Sequence, residues 1–267
     1  MPKYKVGEIA RMLGLSSETL RYYESHGIIT PYRDESSGYR YYEAWDINYL
    51  LDSIWYRSFG FSLNDVEQMI NRDDLSQFKT HCRSRESELL QLINEYQQKL
   101  RSLALLRQNI ERIPLELGTF TPDDSPALIW QCQRTNDTLN DNTDEVRRWV
   151  QLMPFIEHTF VMPSVTPDRD SFNDYSWGFS LSPEKAAQFN IDMSNPGVQY
   201  IPSYRSIRTV FHAGDNGTFI DAFSEQVLRP LKEQGLQIAH PPIGHLLVRI
   251  HEDGHIKRFF KVWIPVE

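Results

Sequence analysis

Polar, basic and aromatic side chains near the N-terminus have the types and the spacing that contacts with DNA require. Ser17, Arg21 and Tyr22 fall on one face of a short helical segment, opposite the apolar positions Leu20 and Tyr23. Serine, arginine and tyrosine side chains donate hydrogen bonds to phosphate, and arginine also reads guanine in the major groove. The exposed face of such a helix is the part that enters the groove. This segment is therefore a predicted DNA-reading helix.

A second group of such side chains follows a turn signal at residues 34–38. The flanking segments are rich in β-formers, which predicts a small hairpin, or wing, bearing Tyr39 and Arg40. An arginine at a hairpin tip reaches a phosphate or the minor groove, and a tyrosine hydroxyl can donate to phosphate. Tyr39, Tyr41 and Tyr42 could instead only pack the wing, and for Tyr42 we favour this packing interpretation.

The spacing of apolar residues predicts the helices that would position these side chains. Apolar residues at helical intervals before Gly14 indicate a first helix, and a serine cap begins a second helix that ends near Gly27. Two short helices joined by a glycine-containing turn form a helix-turn-helix outline. A third helix is predicted from Ala44 to Ser58, and a fourth begins after Ser62 with an acidic residue at the third position.

Short motifs occur in order over the first seventy residues. They are VGEIA at 6–10, TLRYYE at 19–24, GII at 27–29, Arg33, GYRYY at 38–42 and FGFSL at 59–63. This ordered set resembles the MerR family of transcription regulators. The resemblance implies a four-helix winged domain, a homodimer, and contacts with promoter DNA. At matching positions it implies helix contacts from Ser17, Thr19, Arg21 and Tyr22, wing contacts from Tyr39 and Arg40, and a second-wing phosphate contact from Arg57.

The charge balance gives this interpretation little help. The net charge is −8, which alone argues against nucleic-acid binding. Residues 1–75 contain eight Lys and Arg against twelve Asp and Glu, residues 76–113 seven against four, and residues 114–267 thirteen against twenty. No segment is strongly basic. DNA binding must depend on a few well-placed cations.

A long helical pattern without glycine or proline covers residues 76–113, and Pro114 is predicted to end it. Its apolar positions at heptad spacing are Leu89, Ile93, Tyr96, Leu100, Leu103 and Ile110. Arg107 interrupts this stripe, so a core helix of one domain is the alternative to a coiled-coil seam. The family resemblance favours an antiparallel seam, and such a dimer predicts an operator with an inverted repeat.

The remaining chain alternates between strand-like and helix-like segments. The order β-α-β-β occurs twice, with helices predicted at 144–156 and 218–231, and can form one antiparallel sheet with two helices across it. The fold class is thus multidomain, α and α+β. We expect a winged helix-turn-helix at 1–75, a dimerisation helix with its linker at 76–119, and an effector-binding domain at 120–267.

This last domain resembles the gyrase-inhibitor-like effector domains that occur in MerR-type regulators of lipophilic drugs. Relatives that bind cationic drugs have a buried glutamate on the penultimate strand. Here that stretch, residues 245–249, reads HLLVR and contains no acid. Another carboxylate must serve, or the ligand is held differently.

Aromatic side chains are the other candidates for ligand contacts. Residues 120–267 contain four Trp, three Tyr and eleven Phe. An aromatic cage can hold a lipophilic cation by cation–π attraction worth ~0.5–2 kcal/mol per contact. The candidate contacts are Trp130, Phe160, Tyr175, Trp177, Phe179 and Trp263. Tyr175, Trp177 and Phe179 alternate and should share a sheet face. Each could instead fill a core, but for Phe160 and Trp177 we favour the pocket.

Two other functions compete with drug sensing. A soft-metal sensor needs several thiolates, but residues 107–131 contain neither Cys nor His, so Cys82 has no nearby partner. A hydrolase needs a nucleophile with a base or paired carboxylates, and Glu157, His158 and His212 have no partners that the sequence can place. We expect no cofactor, no metal and no membrane segment, and two cysteines suit a cytoplasmic protein.

The family resemblance also implies a mechanism. The dimer would sit on a promoter whose spacer is too long for RNA polymerase. A bound effector would change the angle between the two DNA-binding heads and so bend and untwist the spacer. Such deformation has a sequence-dependent energy and is a sound control variable.

Overall fold

The computed structural model describes residues 3–136, 138–140, 143–163, 165, 174–195, 197–215 and 217–267. The chain forms two compact units, Met1–Tyr96 and Gln97–Glu267. We call the first the head and the second the effector unit. The division falls inside one long helix, so each unit contains part of that helix.

The head is a small helical domain with a three-stranded wing. Its elements are β1 Tyr4–Lys5, α1 Val6–Leu13, α2 Ser17–Ser25, β2 Tyr32–Arg33, β3 Arg40–Tyr42, α3 Ala44–Ser58 and α4 Leu63–Asn71. The strands are antiparallel in the order β1-β3-β2. The predicted helices and hairpin are therefore present.

Local sequence signals fix the helix ends of the head. Gly14 has φ +67°, the left-handed conformation that ends a helix without steric cost. The Ser16 side chain accepts from the Thr19 backbone N–H at 2.9 Å and so caps α2. Ser62 and Asp65 form a reciprocal capping box at the start of α4.

The long helix α5, Leu75–Glu116, has 42 residues. Pro114 lies inside it, so the prediction that this proline ends the helix is wrong. A proline removes only its own N–H from the ladder, and near the end of a helix few further bonds depend on it. The Leu117 N–H still donates to the Ile113 carbonyl at 2.9 Å.

The effector unit is built on a nine-stranded antiparallel sheet. Its strands are β4 Thr121–Asp124, β5 Leu128–Thr135, β6 Thr138–Leu139, β7 Glu157–Val161, β8 Ser176–Leu181, β9 Val198–Ile201, β10 Arg205–Ala213, β11 Ile243–Glu252 and β12 His255–Pro265. Its helices are α6 Thr143–Val150, α7 Pro183–Gln188, α8 Phe219–Phe223, a π-helical turn at Ser224–Leu228, and α9 Arg229–Glu233. The order along the sheet is β4-β10-β12-β11-β7-β8-β5-β6, and β9 also pairs with β5.

The predicted duplication is visible in this order. One repeat, β5-α6-β7-β8, and the other, β10-α8-α9-β11-β12, have their strands in matching positions, and they meet where β7 pairs with β11. The predicted helix at 144–156 ends earlier, at Val150. β4, β6, α7 and β9 are additions that the periodicity did not predict.

The sheet has a different core on each face. On one face, Phe160, Trp177 and Phe260 pack against the α8–α9 segment, and Phe179 packs against Trp149 of α6. Trp130, Val161 and Trp263, at the alternate strand positions, form a cluster on the other face. We call these the helix face and the open face.

Candidate DNA-binding surface and ligand sites

The exposed side of α2 has the chemistry predicted for it. Ser17, Arg21 and Tyr22 are exposed, whereas Leu20 and Tyr23 are buried in the core of the head. Tyr22 is held by an edge-on contact with His26, with ring centroids 4.3 Å apart. A tyrosine already held by a neighbouring ring loses less rotamer freedom on binding, which suits a contact residue. Thr19, by contrast, is half-buried beside the capping serine.

The wing loop is shaped by one carboxylate. Asp34 accepts hydrogen bonds from the backbone and the side chain of both Ser36 and Ser37. These four bonds lower the pKa of Asp34 to about 2. The next turn residue, Gly38, has φ +67°. Tyr39, just beyond the turn, is 64% exposed and free to meet DNA.

Arg40 does not lie at the hairpin tip, and this part of the prediction is wrong. It lies on β3, and its guanidinium donates to both carboxylate oxygens of Glu24 on α2, at 3.0 and 2.9 Å. The Tyr42 hydroxyl donates to the same carboxylate. Tyr42 is fully buried, in line with the packing interpretation. The ion pair with Glu24 turns the Arg40 side chain towards the protein, and it links the wing to α2, the predicted DNA-reading helix.

A second contact, which no pattern in the sequence predicted, joins α5 to the end of α3. Arg85 Nε donates to the Phe59 carbonyl at 2.8 Å. Its guanidinium fills the space over Gly60, where a Cβ would lie 2.1 Å from a guanidinium nitrogen; Gly60 also has φ +88°. Next to this turn, exposed Arg57 donates to the Phe61 carbonyl at 2.9 Å. Arg57, the predicted second-wing contact, therefore lies next to a turn that is hydrogen-bonded to α5.

Phe160 and Trp177 are core residues of the helix face. Phe160 is fully buried, and rings of Trp177, Phe211, Phe219, Phe223 and Phe260 surround it with centroids 5.0–6.4 Å away. Our preference for a pocket role at these two positions has no support here, since they complete the packing beneath α8. Period-2 alternation places a residue on a face but does not say whether that face is filled.

The expected aromatic cage already contains a cation. The Arg134 guanidinium lies 5.9 Å from the ring centroids of both Tyr175 and Trp177. Arg134 therefore already supplies the cationic partner that the cage was expected to take from a ligand. On the open face, Trp263 donates to Asp123 at 3.2 Å, and the Trp130 indole N–H is buried without an acceptor among the described residues.

One cavity in the effector unit has the size and the lining of a ligand site. Its volume is about 570 Å³, and its walls come from α5, from the segment before β7 and from β11. Leu103, Leu106, Ile156 and Leu247 give it an apolar lining. Ligand sites usually combine such a lining with a few polar groups. Phe179, alone among the six predicted contacts, is at its wall.

The polar groups of this cavity are Glu157 and His158, together with lysines from α5 and α7. The Glu157 side chain still reaches solvent, but the protein atoms packed around it partly desolvate the carboxylate and raise its pKa, although Lys185 and Lys261 oppose this. Burial and the charges of Arg249 and Arg134 lower the pKa of His158, whose ring stacks on Phe179 at 5.1 Å. Glu157 thus places a carboxylate in the cavity lining, at the start of β7.

The penultimate strand β11, where the resemblance to drug-binding domains led us to look for a buried acid, contains His245 instead of a carboxylate in the stretch 245–249. His245 Nδ1 lies 2.9 Å from Thr159 Oγ1, and its ring meets the edge of Trp263 at 5.3 Å. Burial and the nearby charge of Lys261 lower the pKa of His245 to about 4. The imidazole is therefore neutral near pH 7 and does not replace a carboxylate.

The residues described by the structure show no group of three or more His, Cys, Asp or Glu side chains suited to a metal ion. In the same residues, no helix combines the length and the apolar character that a membrane crossing requires. Cys82 is exposed on α5 and Cys132 is half-buried on β5.

Comparison with known proteins identifies the family. Residues 5–42 match the profile of the MerR family regulatory proteins. The chain is 30% identical over 125 residues to the HTH-type transcriptional regulator ZntR homolog of Haemophilus influenzae, a match that covers 47% of this chain and 90% of that protein. The chain belongs to the MerR family. The resemblance seen in the sequence motifs is thereby confirmed.

Other MerR-type proteins match about half of the chain or less. The mercuric resistance operon regulatory protein of Bacillus cereus is 28% identical over 49% of this chain and 92% of its own length. The transcriptional activator TipA of Streptomyces coelicolor is 32% identical over 33% of this chain and 34% of its own length. These relatives are regulators of transcription.

Among solved structures, the EcmrR–DNA complex in EcmrR-RPo is similar over 99% of both chains, with 13% identity and a TM-score of 0.37. The EcmrR C-terminal domain covers 56% of this chain and 97% of its own length, at 10% identity and the same TM-score. The family assignment rests on the sequence relatives and not on these two structures.

Proposed function

We propose that this MerR-family protein is a homodimeric transcription activator controlled by a lipophilic small molecule. The observation that supports it is the pairing of two sites in one chain. The head presents an exposed α2 face and wing suited to DNA, and the effector unit contains a 570 Å³ apolar cavity with a wall from α5. In this proposal residues 1–75 bind DNA, residues 76–119 form the dimer and residues 120–267 bind the effector.

The exposed apolar stripe of α5 supports the dimer. Its members are Leu89, Ile93, Tyr96, Leu100 and Leu103, and they are 37–67% exposed. An exposed apolar stripe of this length on one helix is costly in water, and a second α5 running antiparallel would cover it. Two heads at fixed spacing then double the phosphate contacts and require an inverted repeat in the promoter.

For the effector we propose a lipophilic cation in the α5 cavity, with Glu157 as the opposite charge. A carboxylate with a raised pKa gains most from a cation that also buries apolar surface. Leu103 belongs both to the cavity wall and to the exposed stripe, so a ligand that moves it also moves the seam. The resulting change in head geometry would distort the promoter spacer for RNA polymerase, as activation requires.

The two alternatives are less well supported. Glu157 and His158 both line the cavity, but as neighbours on one strand they point to opposite faces of it and form no hydrogen-bonded acid–base pair among the described contacts. Regulators named for mercury resistance are similar to this chain, but its exposed Cys82 has no second thiolate beside it among the described residues.

Thermal denaturation with tetraphenylphosphonium tests the effector site. The wild-type midpoint should rise by several degrees at saturation, because a ligand that binds only the folded state stabilises it. Glu157→Gln should lose most of this rise, whereas the control Glu233→Gln, at an exposed position outside the cavity, should keep it. No rise in wild type, or an equal rise in all three proteins, would reject the cation site.

DNase footprinting on a selected promoter fragment tests the control of DNA. Saturating tetraphenylphosphonium should change the cleavage pattern in the spacer between the two half-sites while the protected borders stay in place. An identical spacer pattern with and without the cation would refute activation by distortion.

A further inference from the structure

The last turns of α5 contact the open face of the sheet through one side of the helix. Asn109, Ile113 and Glu116 follow one another at steps of four and three residues, so they share that side. Ile113 is buried against Val210 and Leu247. Asn109 and Leu247 also line the α5 cavity. This contact, which we call the α5–sheet contact, therefore shares residues with the cavity wall.

Lys261 on β12 is the charged centre of the α5–sheet contact. Its ammonium donates to Asn109 Oδ1 at 3.1 Å and lies 3.4 Å from Glu116 Oε2. Only 10% of the Lys261 side chain and 12% of the Glu116 side chain are exposed, so dissolved salt screens this attraction little. One lysine thus holds two successive turns of the helix against the sheet.

The ion pair between Lys261 and Glu116 has room to shorten. Its 3.4 Å separation exceeds the length of about 2.7–2.9 Å that is typical of a charged N–H···O hydrogen bond. Glu116 Oε1 accepts from Arg112 Nε at 2.6 Å, whereas the buried Oε2 makes no hydrogen bond within the described part of the chain. Lys261 therefore has two acceptors on α5, and the closer one is Asn109.

A second carboxylate acts on Lys261 from the cavity side. Lys261 is the cross-strand partner of His245, and His245 is that of Thr159, so the three form one row across β12, β11 and β7. Glu157 is two residues from Thr159 and on the same side of β7. Partial desolvation raises the pKa of Glu157, and the charge of Lys261 is among those that oppose this rise. The Lys261 ammonium is therefore attracted to the cavity carboxylate as well as to Glu116.

We propose that Lys261 is a positioning residue that couples occupation of the cavity beside Glu157 to the α5–sheet contact at Glu116. A cation bound beside Glu157 neutralises that carboxylate and repels the Lys261 ammonium. A ligand that fills the cavity also competes for the side chain of Asn109 in its wall. Both effects move Lys261 towards Glu116 Oε2, so the last turns of α5 shift on the sheet. The coupling rests on the proposed function, because it needs a cation in the cavity.

The helix can transmit such a shift because α5 is continuous from Leu75 to Glu116. A rigid element carries a displacement at one end to its other contacts. Here those contacts include the exposed stripe that we propose to pair in the dimer. A ligand acts only through its difference in affinity for two arrangements, and these two arrangements differ in which carboxylate attracts Lys261 more strongly.

Isothermal titration with tetraphenylphosphonium and DNase footprinting, both on the full chain, separate binding from response. Glu116→Gln should bind the cation with a Kd within about twofold of wild type, because Glu116 lies outside the cavity wall. Its ligand-dependent change in spacer cleavage should be largely lost, since a neutral amide attracts Lys261 less. Glu111→Gln, at an exposed α5 glutamate paired with Arg107 at 2.6 Å, should match wild type in both measurements.

Lys261→Met should give effects of opposite sign in the two measurements. The Kd of the cation should fall about threefold, because a like charge near Glu157 is removed. The change in spacer cleavage should nevertheless be lost. A residue that only supports the fold would not tighten binding while it removes the response. Should this variant unfold, Glu116→Gln decides the question.

The outcomes distinguish this coupling from the proposed function. A wild type that does not bind the cation, or binds it without a change in spacer cleavage, rejects the proposed function and the coupling with it. A full spacer response in Glu116→Gln, an equal loss in Glu111→Gln, or weaker cation binding in Lys261→Met rejects the coupling alone.

Discussion

The head and the effector unit use aromatic and basic residues in opposite ways. In the head, Tyr22 and Tyr39 are exposed where the motif places them, while Arg40 is drawn inward by Glu24. In the effector unit, Phe160 and Trp177 are inward and the arginines cover the rings. A side chain's type thus indicates its possible chemistry, and only the partners that the fold supplies decide whether it faces a ligand or the core.

The largest expected effect is on the effector unit. Phe160→Ala should lower its free energy of unfolding by about 3–5 kcal/mol, because a fully buried ring leaves a cavity in packed surroundings. Urea denaturation followed by tryptophan fluorescence measures this. A loss below about 1 kcal/mol would contradict the core role of Phe160 and favour its predicted role as a ligand contact. Tyr200→Ala, which removes an exposed ring, is the control.

A pH effect of intermediate size should come from His245. Its folded pKa of about 4 lies below the unfolded value of about 6.5, so the unfolded state binds more protons between these values. Stability is therefore complete above pH 6.5 and falls as the pH drops towards 4, by about 3 kcal/mol at most. Denaturation at pH 7 and pH 5 measures the loss.

His245→Gln is the control for this pH dependence. Glutamine keeps a polar contact for Thr159 but does not titrate, so this part of the slope between pH 5 and 7 should vanish. An unchanged slope in the variant would assign the effect to other groups.

In the head, Arg40→Ala should lower the free energy of unfolding by about 2 kcal/mol. The Glu24 carboxylate is only 13% exposed. In the variant it would still accept the hydrogen bond from Tyr42 but would lose the positive charge of Arg40, which leaves a largely buried carboxylate without its ion-pair partner. Arg33→Ala, at an exposed arginine of the same wing, should cost little. Equal stability of the two variants would mean that the Arg40–Glu24 pair contributes nothing. If Arg40 also contacts a phosphate, the slope of log binding constant against log salt concentration should fall in magnitude by about one in Arg40→Ala.

The smallest effect on folding and a clear effect on binding should come from Arg21→Ala. The side chain is exposed, so stability should change by less than about 0.5 kcal/mol. DNA affinity should fall by about 1–3 kcal/mol if Arg21 reads a base edge. Fluorescence anisotropy on the operator and on a random duplex distinguishes base reading from a phosphate contact, which would weaken both equally.

The sequence was sufficient for the head's elements and for the duplicated order of the effector unit. Caps and turns such as Ser16, Gly14 and Ser62 act over a few residues, so the sequence displays them directly. The α5 cavity, the Arg85–Phe59 hydrogen bond and the contacts of Arg134 with Tyr175 and Trp177 join residues far apart in the chain. No local pattern contains them, because cross-strand register and helix placement bring them together.

The meeting of β7 and β11 has a consequence for the symmetry of the effector unit. Each repeat has its strands in the same arrangement, and the two are joined by only three residue pairs at the centre of the sheet. Two separate copies of one βαββ chain would pair in this way across a twofold axis. The effector unit therefore has the form of a homodimer whose two subunits are covalently joined. In one chain the two halves need not be identical, and here one contains Arg134 and Glu157 and the other Arg249 and His245.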